Sequence, residues 1–209
     1  MTKPAFMVFG LDVHDADTFR KYGEGAGPLL GEFGASVLSA TNDVELLNGV
    51  WDRERVTVLK FPSMEKAREL WESPVYAPLK ELRESCSQSD IFLIEGMMDE
   101  DPDNTPADDG SSHYVLGLNA PLSTDWIPEY QSKVPAIAAK YGLSAAFAGD
   151  QFEVLDGNWT RPQVILLQFP SEEAYRGFWW DDDYLPIKKL REDNTEGDHI
   201  AFPGGYVPL

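Results

Sequence analysis

The sequence predicts an α+β protein made of two ferredoxin-like β-α-β-β-α-β repeats, packed sheet to sheet as one pseudo-dimeric α+β barrel. The chain aligns with itself after a shift of 108 residues, and both copies show the same order of strand and helix patterns. A four-stranded sheet with both helices on one side leaves its other face bare, and a second copy on the same chain can cover that face.

The internal repeat is extensive. Residues 6–96 align with residues 114–204 without a gap and are identical at 26 of the 91 positions. The identities cluster in short motifs: Trp51-Asp-Arg53 with Trp159-Thr-Arg161, Phe61-Pro-Ser63 with Phe169-Pro-Ser171, Trp71 with Trp179, and Tyr76 through Glu84 with Tyr184 through Glu192. We therefore expect one repeat at residues 1–96 and the other at 113–209, joined by a solvated acidic linker at 97–112.

Composition excludes several classes of protein. The chain has 36 acidic and 17 basic residues, a net charge of −19, and such a surface repels nucleic acid. Cys86 is the only cysteine, which excludes an internal disulfide and cysteine-based zinc or iron–sulfur sites. No apolar run approaches the roughly 20 residues of a membrane helix, and the N-terminus has no signal-peptide pattern, so we expect a cytoplasmic protein without membrane contacts.

The first strand and helix are predicted as follows. Each copy begins with a short apolar run typical of a buried strand, Phe6–Leu11 and Tyr114–Leu118. Asp15 or Asp17 can cap the helix that follows, which ends at Gly34. Gly25, Gly27 and Pro28 predict a kink or break in that helix, and Pro135 predicts one in the second copy.

The next elements follow the pattern of a hairpin. A second strand is expected from Ala35 to Leu47 and from Leu143 to Leu155. Asn48-Gly49 and Asp156-Gly157 are typical of hairpin turns, so each second strand should turn directly into a third. The third strands are predicted at Val56–Phe61 and Val164–Phe169.

The last elements complete the repeat. Ser63 and Ser171 are suited to cap the next helix. A short helix through Leu79 and Leu82 should follow, and then a final strand at Ile91–Ile94, or at Ile200–Phe202 in the second copy.

The motifs resemble those of one protein family, the domain of unknown function 1330 family of the dimeric α+β barrel superfamily. The matching residues are Tyr22, Phe33-Gly34, Gly49-x-Trp51-x-Arg53, Phe61-Pro62-Ser63, Trp71, Tyr76, Leu82-Arg83 and Glu95-Gly96. The resemblance implies two family units fused in one chain. The second copy departs from the pattern, since Pro203-Gly204 stands in place of Glu95-Gly96. The wider superfamily includes cofactor-independent monooxygenases, cyclases, isomerases and lactone-handling enzymes.

Histidines are the natural acid–base candidates because imidazole titrates near neutral pH. His199 enters the last strand where the first copy has Ile91, and His14 follows the first strand where the second copy has Leu122. His113, at the edge of the linker, is expected to be solvated. For His14 a structural or surface role is favoured, and for His199 the catalytic and structural interpretations are close.

Arg53 and Arg161 follow a tryptophan by two residues in both copies. Such a guanidinium could hold a substrate carboxylate or enolate while Trp51 or Trp159 stacks on a ring. The alternative is structural, with each arginine pairing with Glu45 or Glu153 across the hairpin and stacking on its own tryptophan. Retention in both copies favours the structural role.

These residues define the predicted site. The candidate catalytic residues are His199, Arg161 and Tyr130 in the second copy and His14, Arg53 and Glu95 in the first, with Trp51, Trp159, Trp179 and Tyr22 as substrate-binding walls. No metal-ligand spacing or phosphate-binding loop is present, so neither a metal nor an organic cofactor is expected.

The predicted function is a cofactor-independent acid–base enzyme, of lyase or isomerase type, acting on a small aromatic or apolar metabolite. The alternatives are a non-catalytic small-ligand binding protein and a cofactor-free monooxygenase. A small molecule is the expected partner, the internal pseudo-dimer is the expected assembly, and a further homodimer is left open.

Overall fold

The fold follows from a computed structural model that describes residues 2–97, here called the first half, and residues 109–208, the second half. Most of the predicted linker at 97–112 lies outside these residues. The first half contains β1 (Ala5–Val13), α1 (Ala16–Glu32), β2 (Ser36–Thr41), β3 (Glu45–Asn48), β4 (Arg55–Phe61), α2 (Met64–Glu72), α3 (Ala77–Cys86) and β5 (Ser87–Glu95). The second half contains β6 (His113–Pro121), α4 (Ile127–Lys140), β7 (Ser144–Gly149), β8 (Phe152–Asp156), β9 (Gln163–Phe169), α5 (Glu172–Trp179), α6 (Leu185–Asn194), β10 (Thr195–Pro203) and β11 (Gly205–Tyr206).

The helices begin at capping residues that the sequence predicts. The side chain of Asp15 accepts a hydrogen bond from the amide of Thr18, and Ser63 and Ser171 cap α2 and α5 in the same way. The helix α1 is continuous through Pro28, as α4 is through Pro135, so of the predicted kink or break the break does not occur. Gly25 lets α1 approach Leu79 of α3 so closely that a Cβ would lie 2.6 Å from its Cδ2.

The strands form two sheets whose faces meet, which confirms the α+β barrel with two repeated halves. The first sheet has the order β11-β2-β4-β1-β5-β8 and the second the order β3-β10-β6-β9-β7. Three apolar clusters fill the layers. One lies between the sheets and draws on both halves, and each of the other two lies between one sheet and the helices of its own half.

The predicted hairpin does not form. The expected second strand is divided into β2 and β3, and β3 leaves its own sheet to pair with β10 of the second half, with Glu45 opposite Ala201. In return β8 pairs with β5 of the first half, with Phe152 opposite Ile94. Asn48-Gly49 therefore marks the end of an exchanged strand. Glycine is needed at position 49 because the backbone φ is +74° there and because a side chain would overlap Asp198 and the carbonyl of Gly197.

A pair of carboxylates fastens the exchanged strands. Asp90 accepts hydrogen bonds from Arg53 of its own half, at 2.6 Å and 2.9 Å, and from the backbone amide of Asn158 in the other half, at 2.8 Å. Asp198 repeats the arrangement with Arg161 at 2.8 Å and the amide of Val50 at 2.9 Å. We call these two groups the strand clasps. Each clasp joins the halves at the point where a strand crosses over.

Replacing Asp90 with Ala should destabilise the fold. The substitution removes the carboxylate that makes the shortest hydrogen bond of the largely buried Arg53, and it leaves the Asn158 amide without an acceptor. Because these hydrogen bonds involve a charged group, their loss should lower the free energy of unfolding by about 2 kcal/mol. Urea unfolding would measure this. Asp52→Ala is the matched control, because Asp52 is an exposed carboxylate 3.7 Å from the same guanidinium. Equal midpoints for the two variants would contradict the role of the clasp.

Candidate functional site

Three cavities are candidates for a functional site. The interrepeat cleft, about 810 Å³, lies beside Trp51 and Trp159. The first-half pocket, about 580 Å³, lies between α1 and the first sheet. The second-half cavity, about 250 Å³, lies between the second sheet and α4 and α6. The last two cavities occupy the corresponding places in the two halves.

The interrepeat cleft contains the paired tryptophans and arginines that the sequence singles out. The rings of Trp51 and Trp159 lie 6.4 Å apart, centroid to centroid. Arg53 and Arg161 are held by the strand clasps, and Arg53 also bonds to Asp12 at 2.9 Å. Although burial disfavours the charged form of Arg53, its bonds to Asp90 raise the pKa of the guanidinium. The positive charges of this cleft are therefore already neutralised by carboxylates.

The predicted partners of these arginines are wrong. Glu45 lies on β3 and Glu153 on β8, the two exchanged strands. Each therefore pairs with an arginine of the other half, Glu45 with Arg176 at 3.2 Å and Glu153 with Arg68. A hairpin would have placed each glutamate next to the arginine of its own copy. The strand exchange removes that neighbour.

The first-half pocket has apolar walls and a hydroxyl pair. Met7, Phe9 and Phe19 line it together with Tyr22 and Tyr76, whose hydroxyl oxygens are 3.1 Å apart. Burial raises the pKa of Tyr22 well above its ordinary value and raises that of Tyr76 too. Both phenols are therefore protonated at neutral pH and can act as hydrogen-bond donors.

Arg55 is the charged group of the first-half pocket, and sequence reasoning missed it. The residue is only 2% exposed and donates to Asn42 Oδ1 at 2.6 Å and to the carbonyls of Ala40 and Val207 at 3.1 Å and 2.7 Å. Within residues 2–97 and 109–208 no carboxylate contacts it, and its Nε has no partner. Burial lowers the pKa of this guanidinium. The sequence feature that could have indicated Arg55 is its position at the start of an apolar strand, where the second copy has the uncharged Gln163.

Residues of the second half close this pocket. The short strand β11 pairs in parallel with β2, with Gly205 opposite Ser39, and so carries Tyr206 and Pro208 to the rim of the first-half pocket. The first half makes a corresponding contact at Met97, the counterpart of Gly205, whose amide donates to the carbonyl of Ala146 in β7 at 3.0 Å.

The second-half cavity contains a different set of polar side chains. His199, Asn119, Thr195 and Arg191 line it, and His199 is only 3% exposed. Space for the imidazole comes from Gly117 and Gly197, since a Cβ at Gly117 would lie 2.9 Å from its Cδ2 and one at Gly197 2.6 Å from its Cε1. Burial, with a smaller contribution from the charge of Arg191, lowers the pKa of His199 to about 3. The imidazole is therefore neutral at physiological pH.

The structure separates the residues that the sequence grouped together. Of the predicted second-copy set, His199 and Tyr130 border the second-half cavity, whereas Arg161 and Trp159 lie in the interrepeat cleft. Trp179 is buried in the helix–sheet cluster with its ring 6.2 Å from that of His199. His199 and Arg161 therefore line different cavities.

The first-copy set is also divided. Tyr22 lines the first-half pocket, and Arg53 and Trp51 lie in the interrepeat cleft. His14 is exposed, with Nε2 3.3 Å from the carbonyl of Ser85, and Glu95 is exposed and paired with Lys3 at 3.1 Å. His113, expected to be solvated, is buried and stacks on Tyr175 at a centroid distance of 4.6 Å.

Two further surveys concern metal binding and membrane crossing. In the part of the chain that the structure describes, no three histidine, cysteine, aspartate or glutamate side chains come together as ligands for one ion. Over the same residues, none of the helices has the length and apolar character needed to cross a bilayer.

His199 should make stability depend on pH. Its pKa is about 3 in the folded protein against an ordinary 6.5, so the unfolded chain binds the extra proton between these values. The contribution of the neutral His199 to the free energy of unfolding is therefore fully present above about pH 6.5, and the free energy of unfolding should fall by about 2 kcal/mol by about pH 5. Urea unfolding across this range would measure how steeply the free energy of unfolding changes with pH, and this slope should be smaller in His199→Ile. His113, whose pKa burial also lowers, accounts for part of the remaining slope. Identical slopes for the two proteins would refute the assignment to His199.

Solved structures resemble the chain over almost all of its length. A heme-binding protein from Thermus thermophilus is 10% identical, with a TM-score of 0.53 over 99% of this chain and 92% of that one. An anthrone oxidase-like protein is 10% identical, with a TM-score of 0.52 over 99% and 92%. A mutant chlorite dismutase from Candidatus Nitrospira defluvii is 9% identical, with a TM-score of 0.52 over 94% and 91%. These likenesses show the fold.

The sequence comparison identifies the family. A search among curated proteins finds no match. The model of the family described as domain of unknown function (DUF1330) matches residues 4–97 and again residues 112–205. These two matches confirm the resemblance and the duplication that the 108-residue shift predicts. The chain therefore belongs to the DUF1330 family, as a tandem pair of its domains folded into one α+β barrel.

Proposed function

We propose that the protein binds a small molecule with an apolar body and one acidic group in the first-half pocket. The observation that carries this proposal is Arg55, a buried guanidinium that lines an apolar pocket and contacts no carboxylate within the described residues. A buried positive charge that has only neutral hydrogen-bond acceptors is unfavourable, and a ligand anion would supply the missing negative charge.

The neighbouring groups suit such a ligand. The apolar lining would bury its body, and the hydroxyl pair of Tyr22 and Tyr76, in which one hydroxyl donates to the other, keeps one proton to donate to a polar atom that reaches the pocket floor. Arg55 is held in place by the carbonyls of Ala40 and Val207, so its orientation is fixed before a ligand arrives. Pre-organisation of this kind favours affinity.

Ligand binding fits this pocket better than acid–base catalysis does. Among the described residues that line it there is no histidine, aspartate, glutamate or lysine to serve as a general base. His199, the strongest sequence candidate for that role, lies in the other half, and with a pKa of about 3 it is a weak base at neutral pH. These points favour the binding alternative over a lyase, an isomerase or a cofactor-free monooxygenase.

A heme is the cofactor to compare with these residues, because one of the similar structures is a heme-binding protein. Heme iron takes His, Cys, Met or Tyr ligands. The lining of the first-half pocket offers Met7 and two tyrosines that are bonded to each other and whose raised pKa values oppose ionisation. His199 borders a cavity of about 250 Å³, below the roughly 300–1,000 Å³ of pockets for drug-sized ligands. The residues do not fit a heme.

Calorimetric titration would test the proposal with two matched pairs of probes, 2-naphthoate with 2-naphthalenemethanol and octanoate with octanol. Each acid should bind more tightly than its alcohol, and Arg55→Gln should weaken binding of the acid at least about tenfold while leaving the alcohol unchanged. Glutamine occupies the equivalent position 163 of the second half, so the variant suits the same strand.

Arg20→Gln is the matched control, because Arg20 also lines the pocket but is exposed and paired with Asp17 at 2.9 Å. It should bind the acids as the unmodified protein does. If neither pair binds, or if Arg55→Gln keeps the preference for the acid, the proposal is wrong.

A further inference from the structure

The second-half cavity brings three unpartnered polar atoms and a weakly paired arginine nitrogen to one small space. Nδ1 of His199, Oδ1 of Asn119 and Oγ1 of Thr195 are buried and make no hydrogen bond within the described residues, and the buried Nη2 of Arg191 has its acidic neighbour, Oε1 of Glu192, at 3.5 Å. His199, Thr195 and Arg191 are 3%, 7% and 8% exposed. Buried polar groups are normally paired, so a concentration of exceptions around one cavity requires an explanation.

The first half provides an internal comparison. At the positions of Asn119 and His199 it has Leu11 and Ile91, which pack in an apolar cluster. At the positions of the two glycines that flank the imidazole, Gly117 and Gly197, it has Phe9 and Ser89. The same backbone can therefore be filled with apolar side chains here. The second half instead carries polar groups and leaves room beside them.

The two halves also differ in the acidic partners of their corresponding buried arginines, Arg83 and Arg191. Arg83, the counterpart of Arg191, pairs with Asp156 at 2.9 Å. The counterpart of Asp156 is Asn48, which carries no charge and donates to the carbonyl of Gly197 at 3.2 Å. Arg191 is left with Glu192, at 3.5 Å, as its acidic neighbour. The second half thus lacks the counterpart of the carboxylate that pairs with Arg83 in the first.

We propose that the second-half cavity is a separate binding site for a small hydroxycarboxylic acid. Nη2 of Arg191 and Oγ1 of Thr195 would donate to the carboxylate, and Oδ1 of Asn119 would accept from the hydroxyl group. The neutral imidazole of His199 offers Nδ1 as donor or acceptor beside them. Asn119 Oδ1 and His199 Nδ1 lie 2.9 Å and 3.2 Å from the point that a Cβ of Gly197 would occupy, so both border the same space.

The size of the cavity sets the size of the ligand. A volume of about 250 Å³ equals that of roughly eight water molecules in the liquid, and such a space suits a ligand of about ten non-hydrogen atoms. Trp126, Ile127 and Val164 provide apolar walls for a short or aromatic body. Glycolate, lactate and mandelate span the relevant range of sizes.

The test uses these three acids on the full chain, with methyl mandelate and mandelamide as uncharged analogues, in calorimetric titration and thermal shift. At least one acid should bind, and it should bind more tightly than its uncharged analogue. Asn119→Leu introduces the residue of the first half and should weaken binding at least about tenfold, and Thr195→Val should also weaken it. Arg191→Gln should remove the preference for the charged form.

The controls separate this site from the first-half pocket. Arg55→Gln should leave hydroxy-acid binding unchanged, and Asn119→Leu should leave naphthoate binding unchanged, so either site can fail alone. If no acid binds at millimolar concentration, or if Asn119→Leu binds as the unmodified protein does, the proposal is overturned. If Asn119→Leu and Thr195→Val raise stability and no acid protects the protein, the cavity holds water only, which also overturns it.

Discussion

The exchange of β3 and β8 is the constraint on which the rest of the structure depends. Each sheet takes an edge strand from the other half, and the clasps of Asp90 and Asp198 fasten both crossings. Each half keeps four contiguous strands of its own sheet, β2-β4-β1-β5 or β10-β6-β9-β7, and the other half adds strands at the edges. The exchange also covers the edges of β5 and β10 with partners from the same chain, which leaves these edges unavailable for pairing with other molecules.

Because the exchange and the core between the sheets hold the halves together, the outer layers are free to differ. The first half keeps Leu11 and Ile91 where the second has Asn119 and His199, and it has Arg55 where the second has Gln163. A symmetric dimer of identical chains would have the same groups in both places. Duplication in one chain removes that restriction, and the result is a larger pocket lined by Arg55 in one half and a smaller cavity lined by His199 and Asn119 in the other.

The sequence predicted local and repeated features well and long-range ones poorly. Capping by Ser63 and Ser171, the repeat itself and the order of elements follow from patterns within a few residues or from self-comparison. The turn at Asn48-Gly49 was misread because the same positive φ serves a hairpin and a strand that leaves its sheet. The predicted site residues come from distant parts of each copy, and the motifs do not show that His199 and Tyr130 line one cavity whereas Trp159 and Arg161 line another. Arg55 was missed because only its burial, supplied by other elements, distinguishes it from a surface arginine.

The overall charge of −19 makes the placement of the buried arginines informative. At long range such a protein repels anions, and in physiological salt this repulsion extends about 8 Å. An acidic ligand must therefore gain its binding energy from contacts inside a cavity, where the solvent no longer screens a guanidinium. Arg53, Arg83 and Arg161 are neutralised by aspartates and cannot supply it. Arg55 lacks an acidic partner among the described residues, and Arg191 has only Glu192 at 3.5 Å, so these two residues are the ones to which we assign the proposed recognition of an anion.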